Sequence, residues 1–207
     1  MTIRKIRLFC GKMAQMCPAW ENKYHDQILK VIREMIFDRG FSNITEHEIK
    51  RDKPIFTGTD DKGHTIQVIV IDQKVSIKHV RDLCEYREQE KIQSLIIVSP
   101  HKCTPTAKSL VSSYDWLWTF MPNELVRNVT HHELVPKHYL VKEEELSTMM
   151  DTFRIKNRDD IINKLPVIFT DDPVAKYFGF LHGQTVGVDI KTGHSEIRKL
   201  YCVVILP

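Results

Sequence analysis

The pattern of apolar and polar residues in the first half of the chain switches repeatedly between helical and extended spacing. One helical stripe starts at Tyr24, and Gly40 stands where the C-terminal cap of that helix would lie. A second stripe runs from Ile77 to about Lys91. TIQVIVI (65–71) and SLIIVS (94–99) have the composition of buried strands. Helix, strand, helix and strand in succession predict an α/β layer.

A short helix and an aromatic segment follow these elements. Thr104 and Pro105 form the pattern of a helix cap and a first helical residue, so a helix is predicted through TAKSLVSS. YDWLWTF (114–120) contains two of the three tryptophans but no basic residue. That composition favours core packing over a platform on which nucleic-acid bases would stack.

A second group of elements is predicted from about Arg127 onward. Glu143 to Glu145 give an acidic first turn that suits a helix dipole. The apolar face of that helix is predicted to be Leu146, Met149, Met150 and Phe153. DDPVAKYFG (171–179) predicts a compact helix that is capped by Asp172 and ends at Gly179. QTVGVDI (184–190) and KLYCVVIL (199–206) predict two strands joined by a turn at 192–194.

Composition describes an ordinary folded chain. Its 207 residues fit one large or two small domains, and no run approaches the ~18 apolar residues of a membrane span. The five cysteines are odd in number and include no Cys-x-x-Cys pair, which predicts free thiols in a reducing compartment. The net charge is +3, and it is unevenly distributed. Residues 1–20 form a basic arm with four basic side chains and no acid. The remainder is close to neutral, which excludes a strongly basic nucleic-acid binder.

The segment NVTHHELVPKH (128–138) raises the question of a metal site, because it holds three histidines and a glutamate. A helical zinc site uses two histidines four residues apart. His132 and His138 are six apart, and Pro136 between them would break a helix. An extended segment leading to a strand end at the proline is predicted instead, with histidines that serve structure or an interface.

One enzymatic pattern remains as an alternative. Restriction-type nucleases hold Mg²⁺ with an acid on one strand and a second acid two residues before a lysine on the next. Asp60 or Asp61, then the strand, then Asp72 and Lys74 imitate this order. A stand-alone Mg²⁺-dependent nuclease would use Asp61, Asp72 and Lys74. A solvated turn accounts for the same residues, because Asp72 lies just past the apolar run.

Several segments resemble subunit 5 of eukaryotic-type multisubunit RNA polymerases, whose C-terminal half also exists as a smaller archaeal polymerase subunit. NVTHHELVPKH and LPVIFTDDPVAKYFGFLHGQTVGV (165–188) are similar to the two most recognisable segments of that family. FDRGF (37–41), KVSIK (74–78) and CTPTAK (103–108) match its shorter landmarks in the same order. The resemblance extends from about Tyr24 to Val204.

The charge pattern predicts a basic N-terminal arm (1–22). For the remaining residues the resemblance implies an α+β chain in two parts. These are a jaw domain with a restriction-endonuclease-like core that lacks its catalytic residues (23–126), and a small assembly domain with a mixed β-sheet and helices (127–207). It implies a non-catalytic polymerase subunit with no catalytic residue, metal or cofactor. The expected location is the nucleus, or a virion or cytoplasmic virus factory for a viral member.

The resemblance also implies two contact surfaces, while the lack of a long apolar run predicts no membrane partner. A DNA-proximal surface would contact downstream double-stranded DNA without reading its sequence, and consists of Lys102, Thr104, Pro105, Thr106 and Lys108, together with Cys103 and Ala107. An assembly surface would contact the largest polymerase subunit, and consists of Glu133, Leu134, Val135, Pro136, His138, Asp172, Pro173, Val174 and Tyr177. The other polymerase subunits are further expected partners.

Four departures from the family pattern predict a diverged member, such as one from a large DNA virus. The segment between Gly40 and the first strand is shorter than in typical nuclear members, and the basic arm before Trp20 is extra. Lys142 replaces the Ser or Thr that usually precedes the acidic helix start, so that helix lacks a side-chain cap. DIKTGHSEIR (189–198) replaces an Arg-Pro-Ser-Glu-Thr-like stretch near the end. No contact is predicted for that stretch.

Overall fold

The computed structural model describes residues 24–47, 54–191 and 197–207. The chain divides into two compact units, with the division between Arg127 and Asn128. Each unit contains a mixed β-sheet and helices, so the predicted α+β class is confirmed. The predicted arm at 1–22 and the predicted turn at 192–194 lie outside the described residues. In the described ranges, no helix combines the length and the hydropathy needed to cross a membrane.

The N-terminal unit is built around a five-stranded sheet. Its described elements are α1 (His25–Asp38), β1 (Asn43–Glu46), β2 (Phe56–Thr59), β3 (Thr65–Val70), α2 (Ile77–Glu90), β4 (Ser94–Val98), α3 (Pro105–Ser112) and β5 (Leu117–Phe120). The strand order is β1-β2-β3-β4-β5, with β1, β2 and β3 antiparallel and β3, β4 and β5 parallel. Helices α2 and α3 are the crossovers between the parallel strands. Strands β3 and β4 therefore lie inside the sheet, which confirms the two predicted buried strands.

Helix α1 ends as the sequence predicts. Gly40 has a φ of +91°, in the left-handed region that favours glycine. Its amide donates to the Phe37 carbonyl at 2.8 Å, and the Phe41 amide donates to the Ile36 carbonyl at 3.2 Å. This hydrogen-bond pair satisfies the last carbonyls of the helix. The predicted apolar stripe is buried at Ile28, Val31, Ile32, Met35 and Ile36. Its predicted first member, Tyr24, precedes the helix and is exposed.

An apolar core lies between the sheet and helices α2 and α3. Its buried members are Val75, Val80, Leu83, Leu95, Ile97, Ala107, Val111 and Leu117. Trp116 and Trp118 lie half-buried at the edge strand β5, and only Trp116 packs against this core. The Arg87 guanidinium is 4.7 Å from the Trp116 ring centre, and that of Arg39 is 4.4 Å from the Trp118 ring centre. The predicted core packing therefore applies to Trp116. In addition, an arginine from a distant segment covers part of each ring.

The C-terminal unit is built around a four-stranded sheet. Its described elements are β6 (Lys137–Leu140), α4 (Glu143–Thr152), α5 (Ile161–Lys164), β7 (Val167–Phe169), α6 (Pro173–Phe178), β8 (Thr185–Lys191) and β9 (Ile197–Ile205). The strand order is β6-β8-β9-β7, in which β7 is parallel to β9 and the other pairs are antiparallel. Strands β8 and β9 confirm the two strands predicted at the end of the chain.

Helices α4 and α6 follow the predicted start signals. Asp172 caps α6, because its Oδ1 accepts a hydrogen bond from the Val174 amide at 2.8 Å. Lys142 precedes α4 without a side-chain cap, and the three glutamates occupy the first turn. The apolar face of α4 was predicted one residue too long. Phe153 lies beyond the end of the helix and is 49% exposed, with its ring edge-on to Tyr201 at 6.3 Å.

Candidate interaction surfaces

The histidine-rich segment begins with a turn. Asn128 accepts a hydrogen bond from the Thr130 amide at 2.9 Å and caps a 3₁₀-helix at Val129–His131. The prediction of an extended segment is therefore wrong for these residues, since the asparagine side chain offers the backbone a local alternative. Strand β6 starts directly after Pro136 and lies at the edge of its sheet, where a proline is tolerated.

The histidines of this segment form hydrogen bonds with neighbouring residues. The Nδ1 atom of His132 accepts from the Leu134 amide at 3.2 Å. The Nδ1 atom of His138 is 2.7 Å from the Pro136 carbonyl, which accepts its hydrogen. Over the residues that the structure describes, no three His, Cys, Asp or Glu side chains are grouped so that they could hold a metal ion. Three histidines in close sequence are thus not brought together in space as ligands.

The residues of the assembly surface differ in their exposure. Glu133 and Leu134 are exposed, and the Leu134 side chain is 84% exposed. Val135, Pro136, His138 and Asp172 are half-buried, whereas Pro173 is exposed. Val174 and Tyr177 are buried within the unit, at 7% and 3% exposure. Because these two side chains are buried within the unit, they leave almost no surface for a partner to contact. The prediction that they contact the largest subunit directly is corrected accordingly.

A buried hydrogen bond links the histidine-rich segment to helix α6. The Asn128 side-chain amide donates to the Tyr177 hydroxyl at 2.9 Å. The Asn128 side-chain oxygen accepts from both the amide and the hydroxyl of Thr130. Because buried polar groups destabilise a fold when they lose their partners, this bond fixes the two halves of the assembly surface to each other.

A polar cluster around Glu145 joins helix α4 to the sheet. One carboxylate oxygen of Glu145 accepts from the Tyr139 hydroxyl at 2.9 Å, the Tyr201 hydroxyl at 3.0 Å and the Lys199 ammonium at 3.1 Å. The hydrogen bond from Tyr139 is the main cause that lowers the pKa of Glu145. The hydrogen bond to Glu145 is the main cause that raises the pKa of Lys199. The cluster therefore favours the charged forms of both groups.

Gly187 is required by the same cluster. A Cβ atom at this position of β8 would lie 2.4 Å from the Tyr139 ring, which crosses the strand there. Sequence analysis missed both the glycine and the cluster, because its members lie on β6, α4, β8 and β9. Nothing in the local spacing of those four segments indicates that they meet.

The DNA-proximal surface lies at the start of helix α3. Lys102, Pro105, Thr106 and Lys108 are exposed. The Thr104 hydroxyl accepts from the Ala107 amide at 3.3 Å and caps the helix, as predicted. Cys103 is half-buried and packs against the apolar core, whereas Ala107 is fully buried in it. Ala107 thus lies on the inward side of α3 and cannot face DNA, which corrects that expectation.

The loop before α3 is hydrogen-bonded to the loop before α2. The Thr104 amide donates to the Val75 carbonyl at 3.1 Å. The Ser99 hydroxyl donates to the Gln73 carbonyl at the same distance. The segments that follow β3 and β4 therefore lie side by side at one end of the sheet.

The geometry contradicts the nuclease alternative. Asp60 and Asp61 lie in the turn between β2 and β3, whereas Asp72 and Lys74 lie beyond the opposite end of β3. The six residues of that strand span about 16 Å at ~3.3 Å per residue. Two carboxylates at opposite ends cannot share a Mg²⁺ ion, whose ligand oxygens lie about 2 Å from the metal. Asp60 is bonded within its own turn, to the Lys62 and His64 amides at 2.9 and 2.7 Å.

Known proteins that match this chain agree with the predicted resemblance. Residues 127–204 match the family model described as RNA polymerase Rpb5, C-terminal domain. The subunit RPABC1 of DNA-directed RNA polymerases I, II, and III from Caenorhabditis elegans is 34% identical over 188 residues, which cover 78% of this chain and 86% of the relative. The chain belongs to the Rpb5 family. The RPABC1 subunit of Dictyostelium discoideum is 30% identical over 178 residues, with 78% of this chain and 87% of that relative covered.

The residues that match the family model, 127–204, belong to the C-terminal part of this Rpb5-family chain. They include both segments of the assembly surface and the Glu145 cluster, whereas the DNA-proximal surface precedes them. Among solved structures, a repair endonuclease from Pyrococcus abyssi is similar with a TM-score of 0.34 and 20% identity, over 49% of this chain and 48% of that chain.

Proposed function

We propose that this Rpb5-family chain is a non-catalytic subunit of a multisubunit DNA-directed RNA polymerase. The observation that carries the proposal is its 34% identity to the RPABC1 subunit of C. elegans RNA polymerases I, II, and III. In this role the N-terminal unit forms part of the lower jaw and guides downstream DNA, and the C-terminal unit docks on the largest subunit. Phosphoryl transfer takes place at metal ions that other subunits hold. The corresponding location is the nucleus, or a virion or virus factory for a viral member.

The distribution of exposed apolar side chains supports docking by the C-terminal unit. Among the described residues, nine of the eleven exposed large hydrophobic side chains belong to this smaller unit. They are Leu134, Leu140, Phe153, Ile162, Val167, Phe169, Ile197, Leu200 and Leu206. They are distributed over β6, α5, β7, β9 and the segments beside these elements, and exposed apolar residues favour contact with another protein where they adjoin one another.

The exposed lysines near α3 support the contact with DNA. Lys102 and Lys108 flank the exposed Pro105 and Thr106, and lysines in this arrangement can contact phosphates without reading bases. The near-neutral composition of the chain predicts weak binding to DNA when it is alone. Within the polymerase, the fixed position of the subunit raises the effective concentration of these lysines at the duplex.

Co-purification tests the proposed assembly. The tagged full chain is co-expressed with the two largest polymerase subunits from the same genome, and we expect both to be recovered with it. Leu134→Lys should lower their recovery about tenfold, because it places a charge in the proposed apolar contact. Phe37→Lys is the matched control, since Phe37 is 64% exposed but lies in the N-terminal unit. Equal recovery with both variants, or recovery of neither subunit by the unaltered chain, would contradict the proposal.

A further inference from the structure

Helices α2 and α3 begin side by side. Ser76 is the N-cap residue of α2 and Thr104 is that of α3. The hydrogen bond from the Thr104 amide to the carbonyl of Val75, the residue before Ser76, holds the two starts together. Since both helices follow neighbouring parallel strands, their first turns lie at the same end of the sheet, beyond the carboxyl ends of β3 and β4.

The two helix starts carry lysines in a similar arrangement. Lys74 lies two residues before the cap Ser76, and Lys102 lies two residues before the cap Thr104. Lys78 and Lys108 lie at the second and fourth positions of the two helices. All four lysines are exposed. We call Lys74, Lys78, Lys102 and Lys108 the lysine face.

The two segments that carry the lysine face are positively charged, and Asp82 lies one turn further along α2 from Lys78. The segments 72–78 and 99–108 contain these four lysines and one acid, the half-buried Asp72. Neither helix has an acidic residue in its first turn, so the positive ends of both helix dipoles are not offset there. The first acidic residue after β5 is Glu124. Its carboxylate accepts a hydrogen bond from the Met121 amide at 2.6 Å.

We propose that Lys74 and Lys78 bind the phosphate backbone of the same downstream duplex as Lys102 and Lys108. The inference rests on the proposed function and extends its DNA contact to a second loop, which the resemblance did not assign to DNA. Neighbouring strands lie about 4.8 Å apart and packed helices about 8–10 Å apart, so the two helix starts are separated by less than the ~12 Å width of the major groove. Four lysine ammonium groups placed in this way can contact one stretch of backbone without selecting a sequence.

The experiment measures how salt weakens the binding of downstream double-stranded DNA by the assembled polymerase that contains the full chain. Three double variants are compared: Lys74→Glu with Lys78→Glu, Lys102→Glu with Lys108→Glu, and Lys62→Glu with Lys91→Glu as the matched control. Lys62 and Lys91 are exposed and precede β3 and β4, so they lie at the opposite end of the sheet, beside the amino ends of these strands. Recovery of the polymerase subunits is measured for each variant.

We expect the first two double variants each to reduce the slope of log K against log salt by about 2, or about 1 for each phosphate that a lysine no longer binds. The control should retain the slope of the unaltered enzyme. If the Lys74 and Lys78 variant behaves as the control while the Lys102 and Lys108 variant does not, the inference is overturned and the proposed jaw contact stands. If both behave as the control, the jaw contact fails as well. Loss of polymerase subunits from the Lys74 and Lys78 variant would overturn the inference in favour of a protein contact.

Discussion

The two units of this chain distribute polar and apolar groups in opposite ways. The N-terminal unit has an apolar core beneath α2 and α3 and exposes lysines where those helices begin. The C-terminal unit contains nine of the eleven exposed large apolar side chains among the described residues. It also contains the cluster around Glu145 and the buried Asn128–Tyr177 hydrogen bond. Exposed lysines favour binding to a polyanion, and exposed apolar side chains favour binding to a protein.

This contrast indicates where the two kinds of residue can be changed without loss of the fold. In the N-terminal unit, the lysines proposed for DNA contact are exposed and the core below them is made of other residues. In the C-terminal unit, the assembly surface depends on hydrogen bonds that also hold the unit together. Substitutions of the lysines should therefore separate binding from folding in the first unit. In the second unit only substitutions of exposed residues such as Leu134 should do so, and changes at hydrogen-bonded residues should affect both.

The largest effect on stability is expected at Gly187. Gly187→Ala would place a methyl group 2.4 Å from the Tyr139 ring and should lower the free energy of unfolding of the C-terminal unit by about 3 kcal/mol. Chemical denaturation measures the loss. Tyr139→Leu removes the ring atoms that clash, so the double variant should lose less than the sum of the two single variants. Strict additivity would show that the ring is not the obstacle.

Glu145→Ala should have the second largest effect. It leaves the Tyr139 and Tyr201 hydroxyls without their common acceptor, which should lower the free energy of unfolding by about 2 kcal/mol. Glu144→Ala is the matched control, because Glu144 is an exposed neighbour on the same helix. Equal losses in the two variants would contradict the role given to the cluster.

The pH dependence of stability tests the same carboxylate. The hydrogen bond from Tyr139 lowers the pKa of Glu145 in the folded chain, so its stabilisation is fully present above the unfolded pKa of about 4.3. That stabilisation is lost as the pH falls through the lower folded pKa. The difference in unfolding free energy between the unaltered chain and Glu145→Gln should therefore stay constant above about pH 6 and shrink at lower pH. A difference that grows as the pH falls below about 4 would contradict the assignment.

A smaller effect is expected at the cap of α3. Thr104→Ala removes the acceptor of the Ala107 amide and should lower the free energy of unfolding of the N-terminal unit by about 1 kcal/mol. Thr104→Ser keeps a capping hydroxyl and should lose much less. Thermal unfolding of the two variants gives the comparison, and identical losses would mean that the hydroxyl does not cap the helix.

The elements that sequence predicted are those with strong local signals. Helix α6 has its cap at Asp172 and its stop at Gly179, and β3 and β4 are continuous apolar runs. The short strands β1, β2, β5 and β7 were missed, because three or four residues carry too little periodicity and their pairing is set by distant segments.

For the candidate surfaces, the sequence predicted local structure better than burial. It predicted the cap of α3 at Thr104, but it assigned an outward role to Val174 and Tyr177, which are buried. Burial of a helix residue depends on which elements pack against it, and 3₁₀-helix Val129–His131 packs beside α6 only in the folded unit. The Glu145 cluster was missed for the same reason, since hydrogen bonds between distant segments leave no local pattern.

The division of roles between the units can be tested in one set of assembled polymerase preparations, by measuring both the recovery of the largest subunit and the salt dependence of DNA binding. We predict that Leu134→Lys lowers recovery while the complexes that remain bind DNA with an unchanged salt slope. Lys102→Glu with Lys108→Glu should leave recovery unchanged and reduce the slope. If each variant changes both quantities, or if the two effects are exchanged, the proposed assignment of DNA to the first unit and assembly to the second is wrong.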